Sequence, residues 1–160
     1  MTYCLDTNVL INCWYFWYPP DSHPTFWEGL EKLATQGRLG FPSQVLEELS
    51  VQDDELYQWC KEREGLFTLS SSDELEALVA DLINKYPDFS GIDVGIGHSY
   101  ADVYVIAQGI TNNMRVVSME KMDGTQNPRK FKIPHICGFE NIRCIQPHEI
   151  IRLEGWVFVH

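Results

Sequence analysis

Short apolar runs, each about the length of one strand, alternate along this chain with segments whose apolar residues recur at helical spacing. Residues 2–5, 39–42, 66–69, 115–118 and 142–145 read as strands. Residues 25–34, 43–50, 54–64, 73–86, 99–108 and 147–153 read as helices. Phe26, Leu30 and Leu33 mark the first apolar stripe, and Gly37 stops that helix. Ser43 and Ser72 stand where N-caps are wanted, and Pro87 ends the long helix. Such alternation implies an α/β fold with a central, mostly parallel sheet and helices on both faces. In these sheets chemistry gathers beyond the carboxyl ends of the strands, where strand order reverses. Acids placed just after strands are therefore the residues to examine.

A length of 160 residues suits one domain, 1–160, with a substantial core. A 44% hydrophobic content excludes a disordered chain. No apolar run approaches the ~20 residues that cross a bilayer. The opening Met1-Thr2-Tyr3-Cys4 lacks the basic start of a signal peptide, so a cytoplasmic protein is expected. Five scattered cysteines suit reduced thiols better than a disulfide framework. His135-x-Cys137 with Cys144-x3-His148 contains no CxxC pair and matches structural zinc spacing poorly. The net charge of −11 argues against a protein that coats nucleic acid. It suits a basic partner, and it leaves room for a carboxylate site neutralised by cations.

Four acids stand in informative places. Asp6 follows the first strand directly, and Glu120 lies two residues beyond the fourth. Asp102 sits in the first turn of helix 99–108, where Ser99-x-x-Asp102 also resembles a capping box. It borders the apolar stripe of Val103, Ile106, Ala107 and Ile110. In helix 43–50, Val45, Leu46 and Leu49 define the buried face. At about 100° per residue, Glu47 points to solvent and Glu48 lies at the margin of that face. Glu48 is the better candidate for an interior cleft, with Glu47 as the fallback.

Leu5-Asp6-Thr7-Asn8-Val9-Leu10-Ile11 resembles the opening motif of PIN domains. Val45-Leu46-Glu47-Glu48-Leu49, Ala101-Asp102-Val103-Tyr104-Val105-Ile106-Ala107 and Val116-Val117-Ser118-Met119-Glu120 resemble the second, third and fourth. The motifs occur in family order and span nearly the whole chain. Tyr18-Pro19-Pro20, Phe26-Trp27 and the run from Lys132 to Cys137 resemble a bacterial subfamily related to VapC toxins. Two residues depart from the pattern: Glu120 where many members have Asp, and His135 where the subfamily leads one to expect an acid. The resemblance implies a three-layer PIN-like fold and a metal-dependent endoribonuclease, the toxin of a bacterial toxin–antitoxin pair. It further implies one or two Mg²⁺ or Mn²⁺ ions held by Asp6, Glu48, Asp102 and Glu120, with Asp6 bridging. Thr7 and Asn8 would orient water or phosphate, and Ser118 a metal-bound water. An RNA substrate and an antitoxin protein are the implied partners, and a homodimer is left open.

Such a site has a physical signature. Clustered carboxylates repel one another and hold raised pKa values until a cation relieves them. Lys121, Arg129, Lys130 and Lys132 are the best candidates for RNA phosphate contact in this acidic chain, although they also suit a solvated loop. The aromatic residues 14–18 fit core or subunit packing, or else a surface for bases or an antitoxin. His98 and His135 lie near the site in sequence but receive no catalytic role. A haloacid-dehalogenase-type phosphatase wants Asp-x-Asp, and Asp6-Thr7-Asn8 lacks the second acid. The alternative of a catalytically silent PIN-like module, binding RNA or protein, usually goes with lost acids. Here all four positions remain acidic.

Overall fold

Each of the five expected runs contains a strand, and the central strand is apolar on both faces, as a covered parallel sheet demands. A computed structural model describes residues 1–89 and 100–158. Strands β1 (Tyr3–Leu5), β2 (Leu39–Pro42), β3 (Thr68–Leu69), β4 (Arg115–Val117) and β5 (Cys144–Ile145) make one five-stranded sheet in the order β3-β2-β1-β4-β5. Every pairing is parallel, so the sheet is wholly rather than mostly so. Tyr3, Cys4 and Leu5 of the central strand are fully buried. β1 aligns Cys4 with Gly40 on one side and with Val116 on the other.

From β1 the chain steps outward through β2 to β3, then returns across β1 to add β4 and β5. The order therefore reverses between β1 and β4. Right-handed crossovers in opposite directions place helices on both faces of the sheet. The outward path carries α1 (Thr7–Asn12), α2 (Pro24–Thr35), α3 (Ser43–Ser50), α4 (Glu55–Glu62) and α5 (Glu64–Phe67). The return carries α6 (Asp73–Lys85), α7 (Ala101–Asn112) and α8 (Ile133–Phe139), and α9 (Pro147–Glu154) follows β5. α2 packs on β2, whereas α7 packs across β1, β2 and β4 and meets α3 at the edge. The result is the expected α/β, three-layer arrangement.

Several boundaries differ from the sequence reading. Leu66 and Phe67 belong to α5, which shortens the expected strand 66–69 to its last two residues. Phe67 is drawn inward to stack on Phe41, ring centroids 5.5 Å apart, and that burial outweighs its strand preference. The approach is close enough to require glycine in β2. A Cβ on Gly40 would lie 2.6 Å from the Phe67 carbonyl oxygen. Ser43 does not cap α3: Pro42 takes the extended cap position, and Ser43 is the first helical residue. Ser72 does cap α6, accepting from the Leu75 N–H at 3.1 Å. Ile142 still turns out of α8, its N–H bonded to the Cys137 carbonyl, so β5 starts two residues later than expected. The expected cap Ser99 and the loop 90–98 lie outside the described residues.

Helix α8 itself has no counterpart in the sequence reading. Gly138 and a length of only seven residues weaken its helical signal, while Pro134 is accepted in the first turn; Ile133, Ile136 and Cys137 are buried and hold it. The segment 13–18 also resolves into two parts. Residues Cys13–Trp17 prolong α1 as a wider π-helical turn. Cys13 is buried, and Trp14 packs edge-on against Trp27 at 4.9 Å. Tyr18 stacks on Phe26 at 4.5 Å. Phe16 and Trp17, 73% and 60% exposed, face outward.

Candidate functional site

The reversal of strand order brings the loop after β1 beside the loop after β4, and Asp6 and Glu120 sit there. The Asp6 N–H donates to the Val117 carbonyl at 3.0 Å, carrying the β1–β4 pairing one residue past the strand. This fixes the Asp6 side chain at the carboxyl edge, where it is fully buried. Asp6 is the residue before α1, but its side chain makes no capping bond there. One carboxylate oxygen, Oδ2, accepts from the Ser118 hydroxyl at 3.4 Å. The other, Oδ1, is buried with no hydrogen-bond partner among the described residues. The adjacent Thr7 hydroxyl oxygen is in the same condition.

Ser118 ties the two loops together. Its hydroxyl, wholly buried, also accepts from the Glu120 N–H at 3.1 Å. Glu120 uses Oε2 to accept the Ile133 N–H at 2.9 Å, so it holds the start of α8 with one oxygen. α3 brings Glu48 from the other side. Glu47 is exposed and Glu48 half-buried, as the helical phase of Val45, Leu46 and Leu49 requires. Asp102 enters from the first turn of α7, half-buried, two residues after Tyr100, which takes the left-handed conformation at φ 54°.

These four acids act on one another electrostatically. Burial, then the charges of Asp102, Glu120 and Glu48, raise the Asp6 pKa well above the carboxylate range. Burial, then Glu120 and Glu48, push Asp102 up to about 7. Among the described residues, none of the charges acting on either is positive. A buried acid kept for structure alone is normally paired, since an unpaired buried carboxylate costs several kcal/mol. The donor set is all oxygen and strongly anionic, which suits a hard divalent cation in charge and ligand type. Distances are less accommodating. Among the described residues, no three His, Cys, Asp or Glu side chains converge enough to grip a metal ion. Unscreened carboxylates repel, and a cation would have to draw them together.

The supporting residues divide. Thr7 lies against the site, and Ser118 positions Asp6 and the Glu120 backbone. Asn8 is exposed, and its carbonyl accepts from the Asn12 amide; among the described residues no hydrogen bond ties its side chain to the acids. Lys121, Arg129, Lys130 and Lys132 are all exposed along the stretch between Glu120 and α8. A short 3₁₀ turn, Pro128–Lys130, shapes this stretch. His98 lies outside the described residues.

His135 has a role that its sequence position did not reveal. It is buried, and its Nδ1 accepts the Lys132 N–H at 3.0 Å, closing the start of α8. Its Nε2 then donates to Asp123, 3.1 Å from Oδ1. The ring therefore pins the basic loop to the helix, and neither nitrogen is left for zinc. The Lys-x-x-His spacing with Pro134 in the first turn was the available signal of a helix start.

A family model for a domain of unknown function, DUF4411, matches residues 3–158. No curated protein and no solved structure matches the sequence. A match that spans β1 through the segment after α9 takes in the whole fold and all four acids, and the chain belongs to the DUF4411 family.

Proposed function

We propose that this protein is an Mg²⁺- or Mn²⁺-dependent endoribonuclease with a PIN-like site, acting as the toxin of a toxin–antitoxin pair. The observation that carries the reading is Asp6. It is fully buried at the strand-order reversal and, among the described residues, has one unpartnered oxygen and only negative charges acting on it. Phosphodiester hydrolysis by a divalent ion uses the ion's charge to activate water near neutral pH and to stabilise the leaving oxygen. Asp6 and Asp102 would hold such an ion centrally. Glu48 would add charge from α3, and Glu120 would contribute the oxygen not engaged by Ile133.

The chain's own residues then divide the work of orientation. Ser118 fixes the rotamer of Asp6 and the path of the loop to Glu120. Thr7 offers a buried hydroxyl beside the Asp6 carboxylate. Lys121, Arg129, Lys130 and Lys132 would meet RNA phosphates, with His135 keeping their loop in place. An antitoxin is the proposed protein partner. No described helix is long and apolar enough to cross a membrane.

The second reading is a catalytically silent RNA- or protein-binding module. It draws on the spread of the acids and on the exposed Phe16 and Trp17. Metal-stripped protein assayed on structured and single-stranded RNAs, with Mg²⁺ or Mn²⁺ restored, separates the two. Cleavage that requires metal and disappears in both Asp6→Asn and Asp102→Asn is the expected result. Cleavage that persists in the substituted proteins, or no cleavage of any RNA despite metal binding, would sink the nuclease reading.

A further inference from the structure

A cavity of about 790 Å³ opens at the other end of the sheet, away from the four acids. Thr2 precedes β1, Arg115 opens β4 and Arg143 precedes β5, so these residues place it at the amino edge. Asn113, from the end of α7, and Asn141, just after α8, complete its polar rim. The chain has 23 Asp and Glu against 12 Lys and Arg. Even so, among the described residues no carboxylate lines this cavity, and two arginines do.

Among the described residues, Arg115 lacks a partner that a buried guanidinium normally finds. Arg115 is half-buried, and its Nη1 is buried with no hydrogen-bond partner among the described residues. Leaving a buried donor unmatched costs about 1–3 kcal/mol, more when it is charged. Arg143 is exposed, and neither arginine forms an ion pair among the described residues. The asparagines have a local explanation. Both take left-handed φ, 51° and 59°, where the chain turns out of a helix, and Asn tolerates that conformation. Their exposed amides nonetheless add uncharged donors to the rim.

We propose that this cavity binds a small phosphorylated ligand, with its phosphate held between Arg115 and Arg143. Guanidinium groups match phosphate oxygens in charge and geometry. The volume falls in the range of small-molecule sites. The site shares no residue with the acids, so it stands or falls independently of the nuclease reading.

Amide NMR titrations of the full chain in chelator test this, with inorganic phosphate and adenosine 5′-monophosphate as separate probes. Shifts should centre on Asn113, Arg115 and Arg143. Tighter binding of the nucleotide identifies a nucleotide site, and equal binding a site for phosphate alone. Arg143→Gln, an exposed change, should weaken binding by about tenfold or more. Arg115→Gln should do the same. Arg152→Gln on α9 removes an equal charge elsewhere and should bind as the unaltered protein does. The proposal is overturned by an absence of shifts with both probes, or by shifts confined to residues 121–132. Equal weakening in Arg152→Gln would also overturn it, because net charge would then be the cause.

Discussion

Replacing Asp102 with Asn should make the metal-free protein more stable. Burial, with the charges of Glu120 and Glu48, moves this carboxyl from near 3.8 to about 7. A raised folded-state pKa means that the folded chain holds a proton the unfolded chain has released. Stability is therefore lost as pH rises from the unfolded value and is fully lost above the folded one. At pH 7 that shift corresponds to about 4 kcal/mol against folding. Water at the exposed edge of the side chain screens part of it, leaving on the order of 2 kcal/mol. Asp102→Asn keeps the shape and removes the charge, so it should raise the midpoint of thermal unfolding by about 4–8 °C near neutral pH. The gain should vanish toward pH ~4, where an unfolded Asp is itself protonated. Circular dichroism melts in chelator across this pH range measure both effects. Saturating Mn²⁺ should reverse the ranking, since a ligand at a hundred times its Kd stabilises the native state by about 2.7 kcal/mol. A variant less stable than wild type in chelator at neutral pH would refute the reasoning, as would a gain equal at both ends of the range.

Other perturbations test the frame around the acids. Ser118→Ala leaves the Glu120 N–H and Asp6 Oδ2 without their shared hydroxyl and should cost about 1–2 kcal/mol in urea melts, with RNA cleavage reduced more than folding. Gly40→Ala drives a methyl to within 2.6 Å of the Phe67 carbonyl oxygen, a backbone atom that cannot rotate away. A loss of about 1–3 kcal/mol is expected, visible as a lowered thermal midpoint. His135→Ala should destabilise by about 1–2 kcal/mol while leaving Mn²⁺ affinity, read by calorimetry, near that of the unaltered protein.

The α/β class and most helix positions were legible in the sequence because they rest on local properties. Periodicity placed the buried face of α3, and with it the distinction between Glu47 and Glu48. Ser72 could be read as a cap because capping involves residues three apart. Asp6 and Glu120 could be picked out because each follows an apolar run. Local signals failed where distant contacts outweighed them. Phe67 is helical because Phe41 receives its ring, and α8 forms over only seven residues because its apolar face is covered. The aromatic run divides into buried Cys13, packed Trp14 and Tyr18, and outward Phe16 and Trp17. Only the positions of Trp27 and Phe26 decide that division.

The sequence by itself determined which residues carry charge and which faces are apolar, and so where carboxylates follow strands. It could not determine that β1 and β4 are neighbours. That pairing joins residues more than a hundred positions apart, and it is chosen by how the whole apolar surface is buried. Tertiary structure alone therefore set Ser118 between Asp6 and Glu120, buried Asp6 among other carboxylates, and left Arg115 Nη1 with no partner among the described residues at the far edge. A side chain's type is written locally, but its pKa, its partners and its access to solvent depend on what the fold packs around it.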